Sequence, residues 1–313
     1  MSPTEPAAAF RLAERQAAAG FGLELSERFL PIGVPVDRAR VIEAGSGPPV
    51  LLVHGGGSTA DQWLPLMAQL DGYRMIAVDR PGCGLTSGFI YSRADDLRAH
   101  AVTFLGKVAD AAGLGPVDII ANSMGALWSL WFAIDHPGRV RSLALLGCPA
   151  LVAGTSAPFA MRMLSRRGLG RLLERPATSR TARQTLQMLG HPDDAVDRLP
   201  PGVLEASVLG ANLPGASSSW RSLLWRVLRL RGARPDCALG VGELRAVKTQ
   251  PLVVWGERDP FGDHDAAQRF ADATGADLAF AGIGHLPWLD DPAHIATLIR
   301  RHIDRLPRPA DRT

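Results

Sequence analysis

The sequence predicts an α/β fold with a mostly parallel central sheet. Two observations carry this prediction. Short apolar, strand-like runs alternate with helical segments between residues 48 and 150, and the same alternation resumes at residue 251. Strands that alternate with helices pair in parallel through right-handed crossovers. A chain of 313 residues, 46% hydrophobic and 21% charged, is long enough for one such domain with an insert.

The predicted elements follow from periodicity, from apolar runs and from the Gly and Pro that separate them. Residues 1–24 are expected to form a helical arm or a loose tail, with an amphipathic pattern over 6–19. The predicted strands are 28–32, 39–43, 49–53, 74–78, 117–120, 140–147, 251–255 and 276–280. The predicted helices outside the insert, beyond 6–19, are 92–112, 126–133 and 292–306.

Residues 151–248 interrupt the alternation. Leu, Met and Trp recur there at helical spacing, between Gly and Pro breaks, which predicts a helical insert. The four predicted helices are 161–173, 181–189, 203–209 and 218–230. The insert is basic, with 15 Arg or Lys against 7 Asp or Glu. The predicted division is therefore an arm at 1–24, a core at 25–150 and 249–313, and the insert at 151–248.

A candidate nucleophile lies in residues 121–125, which read ANSMG. This stretch follows an apolar strand and precedes an apolar helix. A serine on such a tight turn, with small residues two positions before and after it, is typical of a nucleophile elbow. The turn strains the backbone of Ser123 and projects its Oγ beyond the sheet. Capping of the helix is the alternative role of this serine.

A glycine-rich loop follows strand 49–53 and reads HGGGS over residues 54–58. Glycines allow backbone N–H groups to approach a ligand oxygen closely. The sequence therefore predicts an oxyanion hole formed by the N–H groups of Gly56 and Met124, with Gly57 as the alternative to Gly56. We expect His54 to pack and hydrogen-bond beneath this loop.

A base and an acid can be assigned in the last third of the chain. His285 lies in a GIGH loop after strand 276–280, and Asp259 follows strand 251–255. A serine needs a base, and the imidazole needs a carboxylate that fixes its tautomer. Asp259 is favoured because it lies just past the strand end. The alternative acids in the same loop are Glu257, Asp263 and Asp265.

The order Ser123, Asp259, His285, each just past a parallel strand, resembles that of the α/β-hydrolase superfamily. The resemblance covers residues 25–150 and 245–305 and implies a lid between sheet strands six and seven, where the insert 151–248 lies. The Asn-Ser-Met-Gly turn is similar to that of bacterial meta-cleavage carbon–carbon hydrolases. The His-Gly-Gly-Gly loop is similar to that of some lipases and esterases.

The resemblance implies a serine hydrolase that cleaves a carboxylic ester of a hydrophobic small molecule through an acyl-enzyme. The alternatives are a carbon–carbon (meta-cleavage product) hydrolase, a biosynthetic thioesterase or acyltransferase, and a non-catalytic ligand-binding protein of this fold. Candidate substrate contacts are Asn122, Trp220 and Trp225, with core packing as the alternative role of both tryptophans.

Other partners and cofactors are not expected. No dinucleotide fingerprint or metal-ligand spacing occurs, so we expect no cofactor and no metal. The basic insert lacks a nucleic-acid-binding module, and no apolar run approaches the roughly 20 residues of a membrane span. Three dispersed cysteines favour a reducing, cytoplasmic location. The expected partner is a small-molecule substrate, and a homo-oligomer is possible.

Overall fold

The computed structural model describes residues 4–166 and 176–307 and confirms the α/β prediction. The strands are β1 Ser26–Pro31, β2 Arg38–Ala44, β3 Pro49–Val53, β4 Arg74–Val78, β5 Val117–Asn122, β6 Val140–Leu146, β7 Leu228–Arg229, β8 Gly232–Ala233, β9 Leu252–Trp255 and β10 Asp277–Phe280. Eight of them form the central sheet in the order β1-β2-β4-β3-β5-β6-β9-β10. Strand β2 runs antiparallel to both its neighbours, and the other strands of this sheet are parallel.

Both faces of the sheet are buried, which explains why its strands read as continuous apolar runs. Side chains alternate between the faces with a period of two residues. In β3, Leu51 and Val53 join one hydrophobic cluster, whereas Val50 and Leu52 join the other. Helices cover both clusters, so the ends of the strands remain as the edge at which loops can form a site.

The described helices are α1 Thr4–Gly20, α2 Leu64–Met67, α3 Leu97–Ala111, α4 Ser123–Asp135, α5 Phe159–Leu164, α6 Ser179–Met188, α7 Asp193–Asp197, α8 Val203–Ala211, α9 Ala216–Val227, α10 Val241–Leu244, α11 His264–Thr274, α12 Pro287–Asp290 and α13 Pro292–Asp304. Helix α4 is buried over its first eleven residues, as expected of a helix that is apolar on every side. None of these helices has the length and apolar character that crossing a bilayer requires.

The described parts of the insert are mostly helical, but the predicted boundaries need correction. The helix predicted at 218–230 ends at Val227, because β7 and β8 form a short hairpin there. Helix α5 covers the start of the helix predicted at 161–173, and residues 167–173 lie outside the described residues. Helices α7 and α10 were not predicted.

Helix α1 is a packed part of the fold, which corrects the alternative of a loose tail. Its Phe10 and Ala17 are fully buried. Its Glu14 forms a buried ion pair with Arg40 of β2, whose guanidinium also donates to Asp79 at 3.0 Å. Burial raises the pKa of Glu14 to about 7, although the Arg40 charge opposes this shift. The same helix packs against α8 of the insert.

Candidate active site

The elbow lies where the sheet order reverses. Strand β3 has β4 on one side and β5 on the other, so the loops that follow β3 and β5 open a crevice at the carboxyl edge. Ser123 begins α4 directly after β5 and has φ of +52°, a strained angle for a residue with a side chain. A Cβ at Gly125 would lie 2.2 Å from the Val53 carbonyl oxygen. Only glycine therefore lets α4 approach β3 this closely.

His285 and Asp259 form a buried hydrogen-bonded pair. The His285 Nδ1 lies 2.7 Å from Asp259 Oδ2. Because a carboxylate accepts, Nδ1 carries the proton, and Nε2 is left as an acceptor. Nε2 is buried and has no hydrogen-bond partner in the described parts of the chain. His285 and Ser123 line the same cavity.

Backbone donors fix Asp259 in place. Its Oδ2 also accepts from the Cys148 N–H at 2.8 Å, and its Oδ1 accepts from the Phe261 N–H at 3.0 Å. The Phe261 ring packs on the imidazole of His285, with 4.2 Å between the ring centroids. Every carboxylate oxygen of Asp259 is thus occupied by the protein, which holds it toward the histidine.

The three alternative acids take other roles. Asp263 caps α11 by accepting from the Ala266 N–H at 2.9 Å. Glu257 is exposed and pairs with His264 at 3.1 Å. Asp265 is exposed in the first turn of α11. Among the four acids of this loop, Asp259 is therefore the one that contacts His285.

The glycine loop borders the cavity next to the elbow. Gly56, Gly57 and Met124 all line the cavity that contains Ser123. The Trp220 ring packs directly on this loop, because a Cβ added at Gly56 would lie 2.6 Å from it. Because the glycines have no side chains, the cavity extends to the loop backbone and the Trp220 indole packs directly on it.

His54 lies beneath the loop, as expected. It is fully buried; its Nε2 accepts from the Arg80 N–H at 2.9 Å and its Nδ1 lies 2.8 Å from the Gly55 carbonyl oxygen. Burial, and to a lesser degree the Arg80 charge, holds the pKa of His54 well below its usual value. The Arg80 guanidinium also donates to the carbonyls of His54 and Gly55. These contacts fix the loop from below with a neutral imidazole.

The three candidate substrate contacts are placed differently. Asn122 and Trp220 line the cavity. The Asn122 amide nitrogen, however, donates to the carbonyls of Leu146 and His285, at 2.7 and 3.1 Å, so it connects the elbow to the end of β6 and to the His285 loop. Trp225 does not line the cavity and packs under the guanidinium of Arg93 instead. Its placement corrects the prediction in favour of the packing alternative.

The cavity has a volume of about 410 Å³ and is mostly apolar. Sequence reasoning missed one acid in its wall, Asp61, which lies on the short turn after the glycine loop. Asp61 is buried, accepts a hydrogen bond from Thr59, and has its pKa raised to about 6 by burial. Within residues 4–166 and 176–307, Asp61 and His285 are the titratable groups of the wall, and no arginine or lysine lines it.

Also missed were His191 and Asp290, which contact the loop of His285 from the insert and from α12. Their positions in the sequence carry no motif. The site as a whole offers a serine on a strained turn, an imidazole oriented by a carboxylate, and a glycine loop beside them. This is the set of groups that nucleophilic acyl chemistry requires.

The chain belongs to the alpha/beta hydrolase fold family, whose model matches residues 48–292. It is therefore an α/β-fold hydrolase. A 2-hydroxy-6-oxo-6-phenylhexa-2,4-dienoate hydrolase from Comamonas testosteroni is 30% identical over 226 residues, 70% of this chain and 74% of that protein. A 2-hydroxy-6-oxononadienedioate/2-hydroxy-6-oxononatrienedioate hydrolase from Burkholderia vietnamiensis is 29% identical over 79% of this chain and 84% of its own length.

Solved structures share the fold. The carboxylesterase CesB from Bacillus subtilis superposes with a TM-score of 0.73 at 18% identity, covering 96% of this chain and 98% of that chain. The 2-hydroxy-6-oxo-6-phenylhexa-2,4-dienoate hydrolase from a Rhodococcus species superposes with a TM-score of 0.69 at 20% identity, covering 90% and 99%.

Proposed function

We propose that the protein is a serine hydrolase that cleaves a carboxylic ester of an uncharged, hydrophobic small molecule through an acyl-enzyme intermediate. One observation carries this proposal. His285 donates to Asp259 through Nδ1 at 2.7 Å, while its Nε2 is buried without a partner among the described residues. His285 lines the same cavity as Ser123.

In the proposed reaction, Ser123 Oγ attacks the ester carbonyl carbon while His285 Nε2 takes the hydroxyl proton. Asp259 stabilises the imidazolium that forms, and the imidazolium then protonates the departing alkoxide. Water next attacks the acyl-enzyme with the same imidazole as its base, which releases the acid and restores Ser123. The backbone N–H groups of Met124 and Gly56, or Gly57 in place of Gly56, would stabilise the negative oxygen of each tetrahedral intermediate.

Within the described residues, the charge of the cavity wall supports an uncharged substrate. The described wall contains a carboxyl group, Asp61, and no cationic side chain except His285 when it is protonated. Transferring a carboxylate into an apolar site without a cationic partner costs several kcal/mol or more. The Gln62 amide nitrogen, buried and without a partner in the described residues, supplies a donor for a neutral carbonyl or hydroxyl oxygen.

A carbon–carbon hydrolase is the second candidate. It is favoured by the relatives from Comamonas and Burkholderia, which are named as hydrolases of such dienoates. A dienoate brings a carboxylate that needs a cationic partner, and the described cavity wall does not supply an arginine or lysine for it. Thioester cleavage, acyl transfer and simple ligand binding are the remaining alternatives.

We further propose that residues 151–248 act as a lid over the core formed by 25–150 and 249–313. Side chains of α5, α6, α8 and α9 line the cavity together with the glycine loop and the elbow. A lid of this kind excludes water and shapes the substrate pocket. Substitutions on the inner face of the lid should therefore alter KM and chain-length preference more than they alter kcat.

The test compares the unaltered chain with Ser123→Ala and Ser129→Ala. Ser129 is a matched control, because it lies buried on the same helix but does not line the cavity. We expect turnover of p-nitrophenyl esters of short to medium chain length and labelling by a fluorophosphonate. Ser123→Ala should lose both, with kcat falling by about 10³-fold or more, and Ser129→Ala should keep both.

Labelling that persists in Ser123→Ala would refute the assigned nucleophile. A kcat/KM for a meta-cleavage dienoate well above that of every ester would reverse the choice between the two candidates. Tight binding of ligands without turnover or labelling would instead favour a non-catalytic ligand-binding protein.

A further inference from the structure

A segment of the insert holds the loop that carries His285. The backbone N–H of His285 donates to the Leu189 carbonyl at 2.8 Å. The next N–H, of Leu286, donates to Nε2 of His191 at 3.1 Å. Residues 189–191 follow helix α6, so two consecutive N–H groups of the His285 loop are bonded to one short piece of the insert.

His191 in turn belongs to a second histidine–aspartate pair. It is buried, and its Nδ1 lies 3.1 Å from Asp290 Oδ1. The other carboxylate oxygen of Asp290 accepts from the N–H groups of Ile283 and Gly284, at 2.7 and 3.1 Å. Because Nε2 accepts from Leu286, the proton of the ring lies on Nδ1 and is donated to Asp290. Together the pair binds three N–H groups of the five-residue loop 282–286.

The electrostatics of Asp290 agree with this arrangement. Burial raises its pKa, but the hydrogen bond from His191 and the donors at Ile283 and Gly284 outweigh that effect and leave the pKa below its usual value. Asp290 therefore stays ionised near neutral pH and accepts the hydrogen bonds from the loop.

Two glycines show how closely the backbones approach. A Cβ at Gly284 would lie 2.6 Å from the Leu189 carbonyl oxygen and 2.7 Å from the His191 ring. A Cβ at Gly190 would lie 2.7 Å from the carbonyl oxygen of Arg258, the residue before Asp259. The insert thus contacts both the loop of the base and the loop of the acid, without room for a side chain between them.

We propose that His191 is a positioning residue, which with Asp290 fixes the His285 loop against the insert and so sets the imidazole in reach of Ser123. This inference rests on the proposed function. His191 does not line the cavity, so its effect must pass through the loop backbone. A displacement of about 1 Å at a reacting group can cost about 10²-fold in rate.

Three substitutions separate its two hydrogen bonds. His191→Leu removes both. His191→Gln places an amide oxygen near the position of Nε2 and can still accept from Leu286, whereas His191→Asn can donate to Asp290 but does not reach Leu286. We expect kcat for an ester to fall by about 10- to 100-fold in His191→Leu and His191→Asn, with KM changed much less. His191→Gln should recover most of the loss.

Thr178→Ala is the matched control, because Thr178 caps the same helix α6 from its exposed start and does not touch the His285 loop. It should lower the melting temperature and leave kcat unchanged. If His191→Leu does not fold, the comparison of His191→Asn with His191→Gln stands alone.

Unchanged kcat in His191→Leu or His191→Asn would overturn the positioning role. Equal losses in the Asn, Gln and Thr178→Ala variants would also overturn it, because they would indicate general destabilisation. The unaltered chain is labelled with a fluorophosphonate first. A lack of labelling there would count against the proposed function, whereas normal labelling with unaffected His191 variants would count against the positioning role alone.

Discussion

Replacing Asp259 by asparagine should disable the proposed base without removing the side chain. The carboxylate accepts three N–H donors: His285 and Cys148 at Oδ2, and Phe261 at Oδ1. An amide has one acceptor oxygen and one NH₂ group. In either orientation of the asparagine amide, its NH₂ group therefore faces an N–H donor. In the orientation that points NH₂ at the imidazole, the wrong tautomer of His285 is favoured.

The size of the effect follows from the lost charge. At 2.7 Å and an effective dielectric constant of about 20, a carboxylate attracts an imidazolium by about 6 kcal/mol before desolvation is subtracted. A loss of about 10³- to 10⁴-fold in kcat, or about 4–5.5 kcal/mol, is therefore expected, in line with the same change in serine-protease triads.

The assay is the kcat of Asp259→Asn for a p-nitrophenyl ester, beside Asp263→Asn as a control. Asp263 is exposed and caps α11, so its change should lower stability slightly and leave kcat near that of the unaltered chain. A nearly active Asp259→Asn together with an inactive Asp263→Asn would refute the assignment of the acid.

Two further predictions concern stability. Because burial raises the pKa of Asp61 to about 6, its stabilising contribution is complete below about pH 4 and is lost as pH rises through 6. Asp61→Asn should therefore raise the free energy of unfolding by up to about 3 kcal/mol at pH 8 and by almost nothing at pH 4. Urea unfolding at the two pH values measures this difference, and an equal gain at both would contradict the prediction. Phe10→Ala should lose about 3–5 kcal/mol, because Phe10 is fully buried beside Gly210 of α8. Leu12→Ala, exposed on the same helix, should change the free energy of unfolding by at most about 0.5 kcal/mol.

The sheet was predictable because its signal is local. All eight strands of the sheet were anticipated within a few residues, since buried parallel strands read as apolar runs between Gly and Pro. The ends of the helices were harder to predict from the sequence. The helix expected from residue 92 begins at Leu97, where the Asp96 side chain caps it by accepting from the Ala99 N–H. Several polar residues before α3 could serve as caps, so periodicity alone did not select one.

The candidate site was predictable only where a local turn defines it. The strand-turn-helix at Ser123 and the Gly-Ile-Gly-His loop of His285 carry such signals, whereas Asp259 was favoured over its neighbours only because it lies just past a strand end. Its contact with Cys148 joins positions 111 residues apart, and that of His191 with Asp290 joins positions 99 apart. The first contact depends on the pairing of β6 with β9, and the second depends on how the insert docks. The periodicity of a single segment encodes neither.

The docking of the insert has a kinetic consequence. It is attached at several places. Gly202 at the start of α8 packs against Ala13 and Ala17 of α1, and residues 189–191 bind the His285 loop. Helix α9 is bonded to the core as well, because Arg226 donates to the Asp95 carbonyl at 2.8 Å. If the insert acts as the proposed lid, it cannot open about one hinge while these contacts hold, and some of them must separate before a bulky molecule can pass. We therefore expect departure of the products, rather than bond cleavage, to limit turnover with large substrates.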